Sequence, residues 1–381
     1  MREGEAMGAI TVDELRAQLE QGPTATEAEA LARRIRARVG AAALAKNNAQ
    51  FVDELAAAWV LAAPPAAAPP TVVAELGADF RLPMQPLDDT GLFVATAGLE
   101  HGAAVRWYYE VAGARVGGGQ TETYRSHPDS HERPDVPKGR LIAMPPWRSQ
   151  VFAGTVRNWS IYLPARTDGP AATMIFQDGV RFYQDFVPPV FDNLIAEGVM
   201  PPTVGIFLDP GTFADTTVSN RSYEYDTLSD QYVRFLLEEI LPTVARERPL
   251  RGDAASRAIC GMSSGGICAF TAAWHRPDQF HKVLSHVGSF TNIASGPTLR
   301  EGGHNYPALI RKMPPKPLRV ALQDGSNDLN HAAGSWWLAN LQMDDALRFA
   351  GYDHTFATGQ GFHSLAHGRA IFPDSLRWLW R

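Results

Sequence analysis

Gly261-Met262-Ser263-Ser264-Gly265 sets a serine at the centre of a G-x-S-x-G pentapeptide. A serine hydroxyl is a weak nucleophile by itself. It needs a base to take its proton and donors to receive the charge that develops on an attacked carbonyl oxygen. The short run RAIC before the pentapeptide reads as a strand, and ICAFTAAWHR after it reads as a helix. A sharp strand-to-helix turn is the setting that projects such a serine above a sheet. The glycines at 261 and 265 leave room for the turn. Ser263 is therefore the expected nucleophile, and the N–H of Ser264 is an expected oxyanion donor. The rival serine, Ser264, stands one place late and should point along the helix. A chance match in a chain with 33 glycines is the bland alternative, and the strand and helix on either side weigh against it.

In a hydrolase built this way the acid and then the base follow the nucleophile. LRVALQDGSNDLN offers Asp324 and Asp328 at the end of a strand. A carboxylate there would fix the imidazole tautomer and stabilise its cation. Asp324 could instead cap the turn DGSN, which favours Asp328. HTFATGQGFHSLAHG supplies the base, His363, in a loop between a strand and the last helix. His367 is its rival. The i,i+4 pair of histidines could suggest a metal site, but the adjacent glutamate of a zinc-protease helix is missing, so no metal and no cofactor are expected. His286, within the strand KVLSHVG, reads as a core histidine.

The second half of an oxyanion hole is expected after the strand MIFQ, from the N–H of Gly179 or Val180; a plain strand-ending turn is the alternative. Candidate substrate-binding side chains are Arg221, Phe182, Tyr183, Trp336 and Trp337. Arg221 could grip a carboxylate or catecholate, or simply pair with Glu224 or Asp226. The two tryptophans are adjacent at a helix start and cannot face the same way. Further cations near the motifs are Arg181, Arg125 and Arg148.

These residues need a scaffold. From about 150 the chain alternates strands and helices, which implies a mostly parallel sheet with helices on both faces. Residues 71–148 read as all-β; in AVRWYYEV, Val105, Trp107, Tyr109 and Val111 share one face. DDTG (88–91) and GGGQ (117–120) read as turns. Residues 1–47 form a helical arm, with Thr11 as a cap for VDELRAQLEQ. FVDELAAAWVLA fits helix or strand, and AAPPAAAPPT (62–71) reads as a linker. At 381 residues the chain is long enough for two domains. Its net charge of −6 argues against nucleic acid or an anionic membrane as a partner. No apolar run approaches a transmembrane length. The opening MREGEAMGAITVDEL lacks the apolar middle of a signal peptide, so a cytoplasmic protein is expected. Cys260 and Cys268, the only cysteines, flank the serine turn and read as buried thiols.

The stretches MIFQDG, NRSYEYDTLSDQYVRFLLEEILP, CGMSSGGICAF, QDGSNDLN and GFHSLAHG followed by PDSLRWLW resemble the enterochelin-esterase-like branch of the putative esterase family. That family also holds feruloyl and acetylxylan carbohydrate esterases. The resemblance covers about 150–381. It implies an α/β-hydrolase fold over 149–381, and GSND, similar to the acid-bearing segment of feruloyl esterases, implies Asp328 over Asp324. It also implies an immunoglobulin-like β-sandwich over 48–148. FVDELAAAWVLA would then be its first strand, and the Pro-rich stretch a loop within it. The oxyanion segment departs from the family, reading QDG where many carbohydrate esterases carry His-Gly.

The expected function is that of a serine carboxylic-ester hydrolase acting on small-molecule esters, of aryl or siderophore type. The alternatives are a carbohydrate esterase and a catalytically silent binding protein, the latter requiring a broken triad. The β domain is expected near the catalytic mouth, with Trp147 and HPDSHERPDVPKG as its nearest residues.

Overall fold

A computed structural model describes residues 9–64, 68–166, 168–293 and 302–381. The chain divides into two compact units, one of residues 1–125 with 360–362, the other of 126–359 with 363–381.

The second unit carries an eight-stranded mixed sheet. Its strands in chain order are β1 (Arg140–Ala143), β2 (Trp159–Leu163), β3 (Ala172–Gln177), β4 (Thr203–Leu208), β5 (Arg257–Met262), β6 (Lys282–His286), β7 (Arg319–Gly325) and β8 (Asp353–Gly359). Across the sheet they lie in the order β8-β7-β6-β5-β3-β4-β2-β1. β4, β3, β5, β6, β7 and β8 run parallel; β2 pairs antiparallel with β4, and β1 antiparallel with β2. The α/β architecture follows the alternation in the sequence. Parallel strands covered by helices are buried on both faces, so β3 and β4 are mostly apolar and wholly buried. Two apolar clusters, one on each face, enclose the sheet.

The helical segment that follows Asp230 is interrupted. Helical turns at Gln231–Phe235 and Leu241–Glu247 flank a π-helical segment, Leu236–Ile240. Pro242 cannot donate to the carbonyl four residues back, which loosens the ladder there. The segment presents Glu239 inward. Its carboxylate accepts from Trp147 Nε1 (2.6 Å), Val151 N (2.6 Å), Gln150 N (2.9 Å) and Ser149 Oγ (3.2 Å). Trp147, expected as a β-domain residue facing the catalytic mouth, is thus tied into the second unit and packs edge-on against Trp159. The β-rich region was expected to run to 148, but β1 pairs with β2 in the large sheet.

The first unit has two four-stranded antiparallel sheets, ordered Ala49–Asp53, Ala56–Ala62, Leu92–Gly98, Gln85–Pro86 and Arg81–Pro83, Thr71–Leu76, Ala103–Val111, Ala114–Thr123. Trp59, Phe93, Trp107 and Tyr109 fill the core that the sheets share. Alternate residues of the first sheet, among them Phe51, Val60 and Val94, face the other way, against helices Val12–Gln21 and Ala25–Val39. Thr11 caps the first of these in a capping box, as its position predicts.

Two local expectations change here. FVDELAAAWVLA forms a hairpin of two strands, turning at Glu54 in the left-handed region. GGGQ lies inside a strand, where Gly117 and Gly118 take positive φ opposite a register shift in the partner strand. That is a bulge, not a turn; the chain reverses at Ala112-Gly113. The Pro-rich stretch lies partly outside the described residues.

Candidate active site

β5 delivers Ser263 at the C-terminal edge of the sheet with φ 55° and ψ −124°. A non-glycine residue in this region carries strain of about 1–3 kcal/mol, so surrounding contacts must hold it. The Ser263 amide donates to His286 O (2.9 Å), and its carbonyl accepts from Gly266 N (2.9 Å) and Ser289 N (3.1 Å). A Cβ on Gly261 would stand 2.3 Å from the Gly265 carbonyl carbon. The first glycine of the motif is therefore compulsory.

The side chains meet in one chain of hydrogen bonds. Ser263 Oγ donates to His363 Nε2 (2.8 Å), and His363 Nδ1 donates to Asp328 Oδ1 (2.6 Å). Asp328 has no exposed side-chain surface. Its oxygen also accepts from Leu329 N, so the acceptor position is fixed and the imidazole proton stays on Nδ1. That leaves Nε2 with a lone pair for the serine proton. Asp324, the competing acid, accepts from Gly325 N (2.7 Å) and caps the turn.

Two partners escape the sequence. Trp336 Nε1 donates to Ser289 Oγ (3.1 Å), which leaves the Ser289 hydroxyl proton to reach Ser263 Oγ (3.2 Å). Ser289 has no motif; only the loop after β6, which passes under the serine turn, brings it there. Trp336 is buried, with its ring edge-on to the His363 imidazole (centroids 5.7 Å apart, 80°). It supports the base and does not wall the pocket. Trp337 faces elsewhere and packs on Phe356.

A cavity of about 650 Å³ opens over Ser263 and His363, lined by Arg181, Phe182, Arg221, Met262, Leu365 and Arg369 among others. Phe182 is therefore placed as expected. Tyr183 is not: it is fully buried against Phe176 and Phe186. Arg181 lies over Phe182 and Arg369 over Phe186. Arg148, exposed, lines a neighbouring cavity of about 500 Å³ that shares Arg181.

Arg221 pairs with neither expected acid. It grips Asp178, with Nε 2.9 Å from Oδ1 and Nη2 2.7 Å from Oδ2, and still borders the cavity. Asp178 ends β3 in the left-handed region, so this ion pair fixes the turn beside the serine. Glu224 instead takes Arg157 in a bidentate pair (2.7 and 3.0 Å) with both side chains fully buried. Burial raises the Asp226 carboxyl to about 6, although the Ser264 hydroxyl and the Arg221 charge pull it down.

Ser264 opens the helix Ser264–His275, so its amide has no acceptor within that helix. The Arg181 amide donates to Asp209 Oδ1 (3.3 Å), and the Val180 amide lies beside the same carboxylate. A Cβ on Gly179 would lie 2.5 Å from Phe207 Cα, so this glycine also serves close packing on β4.

His286 is fully buried, and burial lowers its imidazole to about 4. Gln323 bridges it to His367, with contacts of 3.3 and 3.2 Å, so His367 is engaged away from the serine. Both cysteines are buried thiols. No helix of the described residues is long and apolar enough to cross a membrane.

Residues 149–379 match the family model described as putative esterase. The iron(III) enterobactin esterase of Dickeya dadantii (strain 3937) is 27% identical over 256 residues, 64% of this chain and 56% of that protein. The iron(III) enterobactin esterase of Escherichia coli (strain K12) is 28% identical over 164 residues, 42% of this chain and 38% of that protein. The chain thus spans about half the length of the curated relatives it matches. Among solved structures, the Shigella flexneri enterobactin esterase in the presence of enterobactin aligns with a TM-score of 0.61 at 18% identity, covering 87% of this chain and 95% of that one. A CE1 ferulic acid esterase from Anaeromyces mucronatus aligns with a TM-score of 0.51 at 17% identity, covering 66% and 94%. At these identities the structural likeness speaks for the fold.

Proposed function

The chain belongs to the putative esterase family, and we propose that it hydrolyses carboxylic esters through an acyl-enzyme on Ser263. The observation that carries this reading is the hydrogen-bonded chain from Ser263 Oγ through His363 to Asp328. It is read as a catalytic triad. His363 Nε2 takes the hydroxyl proton as Oγ attacks the ester carbonyl, and Asp328 stabilises the imidazolium that forms. The Ser264 amide receives the oxyanion. Collapse of the tetrahedral intermediate expels the alcohol, protonated by His363. Water, deprotonated by the same nitrogen, then releases the acid. A silent binding protein would have no use for a strained serine set against an oriented imidazole.

The substrates proposed are aryl or siderophore-type esters. Phe182 offers a face to an aromatic ring, while Arg181, Arg221 and Arg369 offer cations to an anionic one. Burying such an anion unpaired would be costly. The relatives named as iron(III) enterobactin esterases favour this class. The two-sheet first unit is proposed to be the immunoglobulin-like domain that the family resemblance implies. A carbohydrate esterase is the second reading, favoured by the ferulic acid esterase neighbours.

Steady-state kinetics separate these readings. p-Nitrophenyl acetate should be hydrolysed. A catecholate trilactone should be preferred over feruloylated or acetylated sugars. A kcat/KM for the sugars about a hundredfold above that for the trilactone would replace the first substrate class by the second.

A further inference from the structure

Asp324 is the buried titratable group that this mechanism does not use. It stands at the end of β7, four residues before Asp328, with no solvent exposure. Its Oδ1 accepts from Gly325 N. Its Oδ2 is buried with no N–H or O–H donor. Asp328 is in the same position, with Oδ1 taken by His363 and Leu329 and Oδ2 buried without a donor. The two carboxyl groups are within hydrogen-bond reach of each other.

Two bare carboxylate oxygens cannot face each other inside a protein. The desolvation cost of each and their mutual repulsion are relieved together by one proton between them. Which carboxyl holds it follows from the neighbours. Asp328 faces the imidazole N–H of His363, which favours its ionised form. Asp324 faces Asp328, the Gly325 amide and, from the helix Trp336–Phe349, the neutral side chain of Asn340. No cation is among them. We propose that Asp324 carries a proton in the working enzyme and donates it in a hydrogen bond to Asp328 Oδ2, as a positioning residue for the Asp328–His363 pair. Burial and the Asp328 carboxylate raise the Asp324 carboxyl and outweigh the hydrogen bonds from Gly325 and Asn340, which lower it. The neutral form has two consequences. Asp328 is held at both oxygens and cannot turn away from His363. The imidazole also faces one negative charge and not two.

The inference rests on the esterase reading, and the test keeps the two apart. In Asp324→Asn the side-chain amide can donate to Asp328 Oδ2 as the carboxylic acid does, while its carbonyl accepts from Gly325. In Asp324→Ala the donor is gone. With p-nitrophenyl acetate, Asp324→Ala should lose about 10–100-fold in kcat with KM little changed. Asp324→Asn should recover most of that loss, with the acid limb of its pH profile where the wild type has it. Infrared spectroscopy of the wild type at pH 7 should show the C=O stretch of a buried protonated carboxyl, absent in Asp324→Asn. The proposal is overturned if that band is missing from the wild type. It is also overturned if Asp324→Asn is as impaired as Asp324→Ala, or if Asp324→Ala folds and retains full kcat. If Asp324→Ala does not fold, the infrared band and the activity of Asp324→Asn still decide. A wild type that hydrolyses no ester would overturn the esterase reading, and the band alone would then decide the protonation of Asp324.

Discussion

Asp328→Asn removes one charge and leaves the shape almost intact. In the native enzyme the carboxylate lies 2.6 Å from His363 Nδ1 with no exposed surface. When the imidazole takes the serine proton, an ion pair forms with its charge centres about 4 Å apart. At an effective dielectric of about 20 that pair contributes about 4 kcal/mol, or about a thousandfold in rate. An asparagine amide turned toward Nδ1 would do further harm, because it would force the ring proton onto Nε2 and block the serine. Wrong-tautomer substitutions in comparable triads cost about 10⁴-fold. We therefore expect kcat to fall by about 10³–10⁴-fold on p-nitrophenyl acetate, with KM changed little, since Asp328 does not line the cavity. Circular dichroism and a melting curve would establish that the variant folds. A folded Asp328→Asn with kcat within about tenfold of the wild type would refute the reasoning that Asp328 stabilises the imidazolium.

Further outcomes follow from the same geometry. Ser264→Ala should retain a substantial fraction of activity, because the backbone amide that serves the oxyanion survives; steady-state rates check this. Glu224→Gln should lower stability by about 3–5 kcal/mol, since it strands the buried Arg157 cation, and urea unfolding would measure it. His286 should make folding pH-dependent. Its folded value of about 4 lies below the unfolded value of about 6.5. The unfolded chain alone binds a proton between these limits, so this contribution is complete above about 6.5 and is lost as pH falls toward 4, by at most about 3 kcal/mol. Asp226, raised by burial, works in the opposite sense over part of the same range. The test is therefore the difference between the stability curves of wild type and His286→Gln, which should shrink the acid-side loss.

Much of the site was legible because its residues sit at places that the fold repeats. Ser263 is marked by the glycines its turn demands, and His363 by a loop between the last strand and the last helix. Asp328 was separated from Asp324 by the turn that Asp324 could cap and by resemblance. Its burial and its contact with His363 depend on the loop Ser326–Leu329, which no local pattern specifies. The misplaced residues share a cause. Tyr183 and Trp336 are aromatic and close in sequence to the site, but one turn of helix decides whether such a ring faces a cavity or the core. Asp209, 29 positions on from Val180 at the end of the neighbouring strand, brings a carboxylate to the turn where a second oxyanion donor was expected. Ser289 and the Arg221–Asp178 pair are likewise contacts across the sheet top between segments far apart in sequence. GGGQ was misread because glycines at positive φ serve bulges as well as turns.

The central claim is that Ser263 is the nucleophile, and covalent labelling tests it most directly. An aryl phosphonate should inactivate the enzyme with one equivalent incorporated. Peptide mapping by mass spectrometry should place the adduct on Ser263, and His363→Ala should slow labelling severely. An adduct on Ser264, or no adduct on an enzyme that turns over esters, would contradict the account.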